Sequence, residues 1–168
     1  LSFTIISVGF SKKIIFRNKA KLNDDIYVTG NLGDAYTGLY ILNKKIDIPK
    51  KYKKYFENRY FHPNLNLSLA KKLFYFANTS IDISDGLLTD LDKLINNQKL
   101  SYKIELKDVP ISGNLKKLIN LKKYNKINFI SKGDDYQILF TASPSKARII
   151  RYYSNILKIK ISKIGKIR

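Results

Sequence analysis

Cysteine, methionine and tryptophan are absent from this 168-residue chain, and histidine occurs once, at His62. Without cysteine there can be neither a disulfide framework nor a thiolate zinc site, and one histidine cannot build a His-rich centre, so any metal must be held by oxygen. No run of about 18 apolar residues is present, which is what a membrane-crossing helix would need. The apolar start LSFTIISVGF is too short to span a bilayer and lacks a basic leader. The expectation is a soluble, cytoplasmic protein without a membrane partner. Acid is also scarce, 13 residues against 32 basic ones, for a formal charge of +19.

Apolar residues make up 44 % of the chain, enough at this length to bury the core of one domain. A charge of this size attracts polyanions without any specific site. Yet 27 of the 32 basic residues are lysine, travelling with isoleucine and asparagine along the whole length, which marks a chain-wide compositional bias. No nucleic-acid motif is present, so specific nucleic-acid recognition is not expected. The densest run, 50–54, reads as a solvated surface segment. Methionine is missing even at position 1, and the chain opens on alternating apolar residues. That pattern is expected of a piece of a longer polypeptide, with residues 1–10 a strand whose partners lie upstream; a processed amino terminus is the alternative.

Against this basic background, Asp82, Asp85, Asp90 and Asp92 fall within eleven positions, in DISDGLLTD and just beyond it. Ser84 and Asp85 are N-cap residue types, and Leu87, Leu88, Leu91, Leu94 and Ile95 form the apolar stripe of an amphipathic helix. Two readings are open. Ser84 or Asp85 caps the first turn while the other aspartates form a solvated face. Alternatively, Asp82 and Asp85 aim their oxygens at one hard cation such as magnesium, which takes one or two carboxylates and keeps water or phosphate elsewhere.

In chain order, a turn at 11–13 leads through IIFRNKAK to a β-rich run at 26–29, and Gly30 to Gly33 marks a strand-to-helix turn. That spacing fits tight-turn geometry better than a phosphate loop, lacking both the Walker and the Rossmann pattern. The polar, tyrosine-rich stretch 44–63, with Pro49 and Pro63, reads as an irregular surface excursion, and His62 within it as structural or exposed. Leu67, Leu69, Ala70, Leu73, Phe74 and Ala77 predict an amphipathic helix. After the aspartate helix come a strand at 103–106, a proline-ended turn into a short helix, and a buried strand at 136–141 with Asp134 and Asp135 at its entrance. Ser143-Pro144 starts a helix running to about Tyr153, and LKIKIS is the last β-type run.

Four phrases stand out: RNKAKLNDDIYVTGNLGDAYTGL, ANTSIDISDGLLTDL, VPIS and SKGDDYQILFT. Together they resemble the C-terminal half of the thiamine-monophosphate kinase family, within the superfamily of aminoimidazole-ribonucleotide synthetase and selenophosphate synthetase. The likeness covers nearly the whole chain, and DISDGL is its specific part. It implies an α+β fold, a three-layer α/β/α arrangement with a mixed sheet, like the C-terminal domain of aminoimidazole-ribonucleotide synthetase. Residues 1–11 would be the last strand of an N-terminal ATP-binding domain and 12–168 the C-terminal domain.

The implied activity is direct, magnesium-dependent transfer of the γ-phosphoryl group of ATP to thiamine monophosphate. Asp82 and Asp85 would bind magnesium, Arg17 and Ser84 would contact ATP, and Asp134 would contact thiamine monophosphate, with Asp135 and Tyr136 in support. The family's N-terminal domain would supply the other magnesium ligands and a homodimer interface, so the chain by itself is expected to be inactive. Departures from the family pattern are Lys132 for glycine, Gln137 for glutamate, Leu22-Asn23 for Pro-Gly and Leu65-Asn66 for Pro-Arg. The alternatives are another ATP-using enzyme of the superfamily, or a non-enzymatic basic module whose aspartates only cap a helix.

Overall fold

The run DIYVT forms strand β1 (Asp25–Thr29), buried from end to end because both of its faces are covered. Ile26 and Val28 point into one apolar cluster and Tyr27 into another, the alternation that a strand imposes on its side chains. The computed structural model describes residues 4–6, 8–10, 13–46 and 48–168.

The other strands are β2 (Thr79–Ile83), β3 (Tyr102–Ile104), β4 (Gln137–Ala142) and β5 (Ile161–Ile167). Their order in the sheet is β2-β4-β1-β5-β3, and each neighbouring pair is antiparallel. The α+β class is as expected, but the sheet is antiparallel rather than mixed. β1, β2 and β3 all run one way and never touch; β4 and β5 run the other way and slot between them.

Helix α4 (Leu87–Leu94) covers one face through Leu87, Leu91 and Leu94, each fully buried and each contributing roughly 1.5–3 kcal/mol of transfer free energy. The other face is covered by α7 (Ala147–Leu157) through Ile150, by the single turn α3 (Leu67–Ala70), and by a 3₁₀ turn, Leu73–Tyr75. These make the outer layers of the sandwich. A third cluster joins α1 (Asp34–Leu42), α2 (Lys50–Phe61), α5 (Gly113–Lys122) and α6 (Ile127–Ile130) around Ile41, Phe56, Leu115, Leu118 and Phe129.

Several expectations need correction. The stretch 44–63 is not an irregular excursion, since most of it is α2, entered at Pro49 and anchored by the buried Phe56 with Tyr52 and Tyr55 beside it. Tyrosines counted as polar hid the helical spacing of that face, while the lysines at 50, 51, 53 and 54 are exposed as expected. The helix expected from Leu67 to Ala77 breaks into α3 and the 3₁₀ turn. The tighter bonds Lys72 N–H to Leu69 C=O and Phe76 N–H to Leu73 C=O turn Leu69, Leu73 and Phe76 all onto the sheet.

The last strand is Ile161–Ile167, sharing only Ile161 and Ser162 with LKIKIS, because α7 continues to Leu157 and closes on Lys158 in a left-handed conformation. Its register shifts opposite Ile26 and Tyr27. The extra residue lets Ile164 and Ile167, three apart, enter the same core, which a regular strand would forbid. Of the strand expected over 1–10, residues 4–6 and 8–10 run outside the sheet with exposed side chains, and residues 1–3 and 7 lie outside the described residues. Most of the turn at 11–13 lies outside them too. Among the described residues no helix is long and apolar enough to cross a membrane.

Candidate active site

The strand directions place the C-terminal ends of β1 and β2 and the start of β4 at one end of the sheet. Three loops meet there: 30–33 after β1, 84–86 after β2, and 131–136 before β4.

Ile81 and Ile83 of β2 point into the core, so Asp82 between them faces the opposite side. It is exposed, at the rim of an open cleft of about 530 Å³ lined by Lys13, Leu73, Phe74, Ser80 and Ile138. The chain then turns through Ser84, Asp85 and Gly86 into α4. This turn is capped neither by Ser84 nor by Asp85. Gly86 stands at the N-cap without a side-chain bond, and the buried Asp90 reaches back. Its Oδ2 accepts the backbone N–H groups of Ser84 (3.0 Å), Asp85 (2.9 Å) and Gly86 (3.1 Å). One carboxylate thus satisfies three backbone donors of the turn that leads into the helix, the last of them at its N-cap. Asp85 is left outward and exposed, paired with Lys93, whose Nζ also lies 3.2 Å from Asp90 Oδ1. These two acids, Asp85 first, raise the Lys93 pKa.

The 131–136 loop lies directly against this turn. Asp134 N–H donates to Ser84 C=O at 3.0 Å, and Tyr136 N–H to Ile83 C=O at 2.8 Å. The two glycines make the approach possible: a Cβ on Gly133 would collide with the Ser84 carbonyl, and one on Gly86 with the Ser131 carbonyl. Asp134 and Tyr136 both hold positive φ, 69° and 49°, a conformation that costs a non-glycine residue about 1–3 kcal/mol. The Asp134 side chain is half-buried and makes no hydrogen bond or ion pair among the described residues.

Asp135 turns the other way, into the protein. Its Oδ2 accepts Gly33 N–H at 2.7 Å and its Oδ1 accepts Ala35 N–H at 3.3 Å, capping α1 from a distant loop. Burial pushes its pKa up to about 7; the two N–H bonds oppose this, and the charges of Asp34 and Asp134 add to it. The Gly30–Gly33 phrase is therefore a turn, with φ of 59° and 85°, whose free N–H meets a protein carboxylate. Asp34 is buried beside it, accepting from Ser112 (2.6 Å) and Tyr55 (2.8 Å), and burial raises its pKa as well.

Behind this loop Gln137 Oε1 accepts from Thr29 Oγ1 at 2.8 Å and from Asn66 Nδ2 at 2.9 Å. Two departures from the family phrases, Asn66 and Gln137, are thus hydrogen-bond partners in one buried network.

Of the site residues expected from sequence, Asp82, Ser84, Asp85 and Asp134 come to one end of the sheet. Arg17 does not join them. It is exposed, between Phe16, whose C=O accepts from Thr79, and Asn18, whose N–H donates to the Leu94 C=O. Thr79 opens β2, four strand steps or about 13 Å from Ile83. Asp90, Lys93, Asp34 and the Asn66–Gln137 pair were missed as site-building residues. Only Asp90 left a sequence signal, an acid four positions after the glycine that opens its helix. No group of three or more acidic or histidine side chains that could enclose a metal occurs among the described residues, so Asp82 and Asp85 offer at most part of a ligand set.

No protein-family model matches the chain. It is 37 % identical over 167 residues to the thiamine-monophosphate kinase of Buchnera aphidicola subsp. Acyrthosiphon pisum, covering 97 % of the chain and 48 % of that relative. The corresponding kinase of Haemophilus influenzae is 32 % identical over 174 residues, covering 99 % and 51 %. The crystal structure of thiamine monophosphate kinase from Aquifex aeolicus superposes with a TM-score of 0.81 at 27 % identity, over 95 % of this chain and 52 % of that one. AaThiL complexed with AMPPCP and TMP gives 0.78 at 27 % identity, over 92 % and 48 %. The chain spans about half the length of the curated relatives it matches. In sequence and in fold alike, the chain is similar over nearly its whole length to thiamine-monophosphate kinases and fits the C-terminal half of those enzymes.

Proposed function

We propose that the protein carrying this chain is an ATP- and magnesium-dependent kinase that moves the γ-phosphoryl group of ATP onto thiamine monophosphate, releasing ADP and thiamine diphosphate. The observation that carries this reading is the interlock of the 84–86 and 131–136 loops, which sets Asp82, Ser84, Asp85 and Asp134 around one end of the sheet. The relatives' names and the AMPPCP and TMP complex of AaThiL support the same substrates.

Phosphoryl transfer asks mainly for positioning and charge neutralisation, and bound magnesium would supply the latter. Asp82 and Asp85 fit such an ion in kind, because both are exposed carboxylates and a hard cation takes oxygen donors. Asp85 is held by Lys93, so a cation and this ammonium compete for the same oxygens. Asp134, with its side chain unengaged, is assigned to thiamine monophosphate, and Ser84 and Arg17 to ATP. Arg17 stands beside the opposite end of β2 from the other four. Residues 12–168 act as the C-terminal domain, with 1–11 entering from an ATP-binding domain that supplies further metal ligands and a homodimer interface.

ADP release by the complete protein tests this, with thiamine monophosphate and magnesium each supplied or withheld. Turnover should require both, and Asp82→Asn and Asp85→Asn should each abolish it without lowering the melting temperature. ATP consumed equally without thiamine monophosphate would remove the substrate assignment. Unfolding of the two variants would return these aspartates to a structural role.

A further inference from the structure

A second concave surface shares no residue with the cleft at Asp82 or with the small cavity beside Asp135. It lies between the loop before α5, α5 itself, the start of α6 and the beginning of β5, and encloses about 500 Å³. Lys107, Lys116, Lys126 and Lys160 line it, with Asp108 as the single acid.

These lysines stand apart from the many others by lining one cleft together. Like most lysines of the chain, none of the four has an ion-pair partner among the described residues. Lys126, moreover, is half-buried and fixed in place. Its Nζ donates to the carbonyls of Leu106 (2.6 Å) and Val109 (2.5 Å), which leaves one of its three protons for another acceptor. Lys160 spends one donor on Asn31 Oδ1 at 2.9 Å and keeps two. Burial lowers the Lys126 pKa; the nearby Asp108 opposes this, and Lys116 and Lys160 add to it. The floor between the lysines is apolar, made by Val109, Pro110, Ile111 and Ile119.

We propose that this cleft binds a small phosphorylated molecule, with its phosphate oxygens taken by Lys116, Lys126 and Lys160 and an apolar portion lying on Pro110, Ile111 and Ile119. Ammonium groups serve phosphate as point charges, and an immobilised one costs less ordering on binding than a free side chain. The kinase reading uses none of these residues, so the two proposals stand or fall separately.

The test is a titration of the complete protein with phenyl phosphate, followed by amide NMR, with inorganic phosphate as the second arm. Shifts should concentrate at residues 107–119, 126 and 160, and phenyl phosphate should bind more tightly than inorganic phosphate. Lys116→Glu with Lys160→Glu should weaken phenyl phosphate by at least about tenfold, since two charged hydrogen bonds are lost. The milder pair Lys116→Gln with Lys160→Gln should weaken it in the same direction, which guards against misfolding of the reversed pair. Lys50→Glu with Lys54→Glu on α2 changes the net charge equally and should leave the affinity within about twofold. Equal weakening by the α2 pair, shifts spread over the lysine-rich surface, or inorganic phosphate binding as tightly as phenyl phosphate would each overturn the proposal.

Discussion

Asp82 and Asp85 stand exposed on the same loop system into which Asp34, Asp90 and Asp135 are folded away from water. The residue type is one and the surroundings are opposite. Each buried carboxylate is surrounded by donors: Asp90 takes three backbone N–H groups, Asp135 takes two, and Asp34 takes two hydroxyls. Asp82 and Asp134 accept no hydrogen bond among the described residues, and Asp85 has only Lys93, a side chain it shares with Asp90. Carboxylates satisfied by backbone fix where the loops lie; carboxylates facing water keep their oxygens for a ligand. The division predicts that inner and outer substitutions fail in different ways.

The largest loss should come from Asp90→Ala, which strands three N–H groups and leaves Lys93 without its buried partner; about 3–5 kcal/mol is expected by chemical denaturation. A loss below 1 kcal/mol would mean that water replaces the carboxylate and that the inner class is not structural.

Asp135 comes next, through pH. Its folded-state pKa of about 7 lies above the ordinary 3.8, so the folded protein holds a proton that the unfolded chain releases. That stabilisation is complete below about pH 4 and is lost as pH rises through about 7, a change on the order of 4 kcal/mol. Melts of the wild type and Asp135→Asn between these limits should differ in slope by this amount. Parallel curves would refute the assignment.

Gly133→Ala should cost about 1–3 kcal/mol by forcing the two loops apart, with turnover of the complete protein falling further than stability. Full activity in that variant would separate the interlock from the chemistry. The smallest effects belong to the outer class: Asp82→Asn and Asp85→Asn should change stability by no more than about 0.5 kcal/mol. A loss of several kcal/mol would erase the distinction.

What could be read in advance follows the same line between local and distant causes. β1, β4 and α4 announced themselves, because a β-branched run or a leucine stripe states its own periodicity. The four outward or half-buried residues of the candidate site were legible because DISDGL and SKGDDYQ are contiguous phrases. The cap by Asp90, the cap of α1 by Asp135 and the glycine interlock were not, since each joins groups that only the folded chain brings together. α2 was lost to a choice of alphabet, its tyrosines counting as polar when Tyr52 and Tyr55 pack beside Phe56. Asn66 and Gln137, 71 residues apart in the chain, likewise meet only on folding, in a buried hydrogen bond at 2.9 Å.

The interleaving of the strands also sets a timetable. Asp24 and Thr141, which bond at the edge of β1 and β4, are 117 residues apart in the chain. Since β1, β2 and β3 border only β4 and β5, no ladder of this sheet can close until β4 has left the ribosome. Until then the early strands wait with bare edges, in a topology of high contact order that assembles slowly and depends on protection from aggregation while it does.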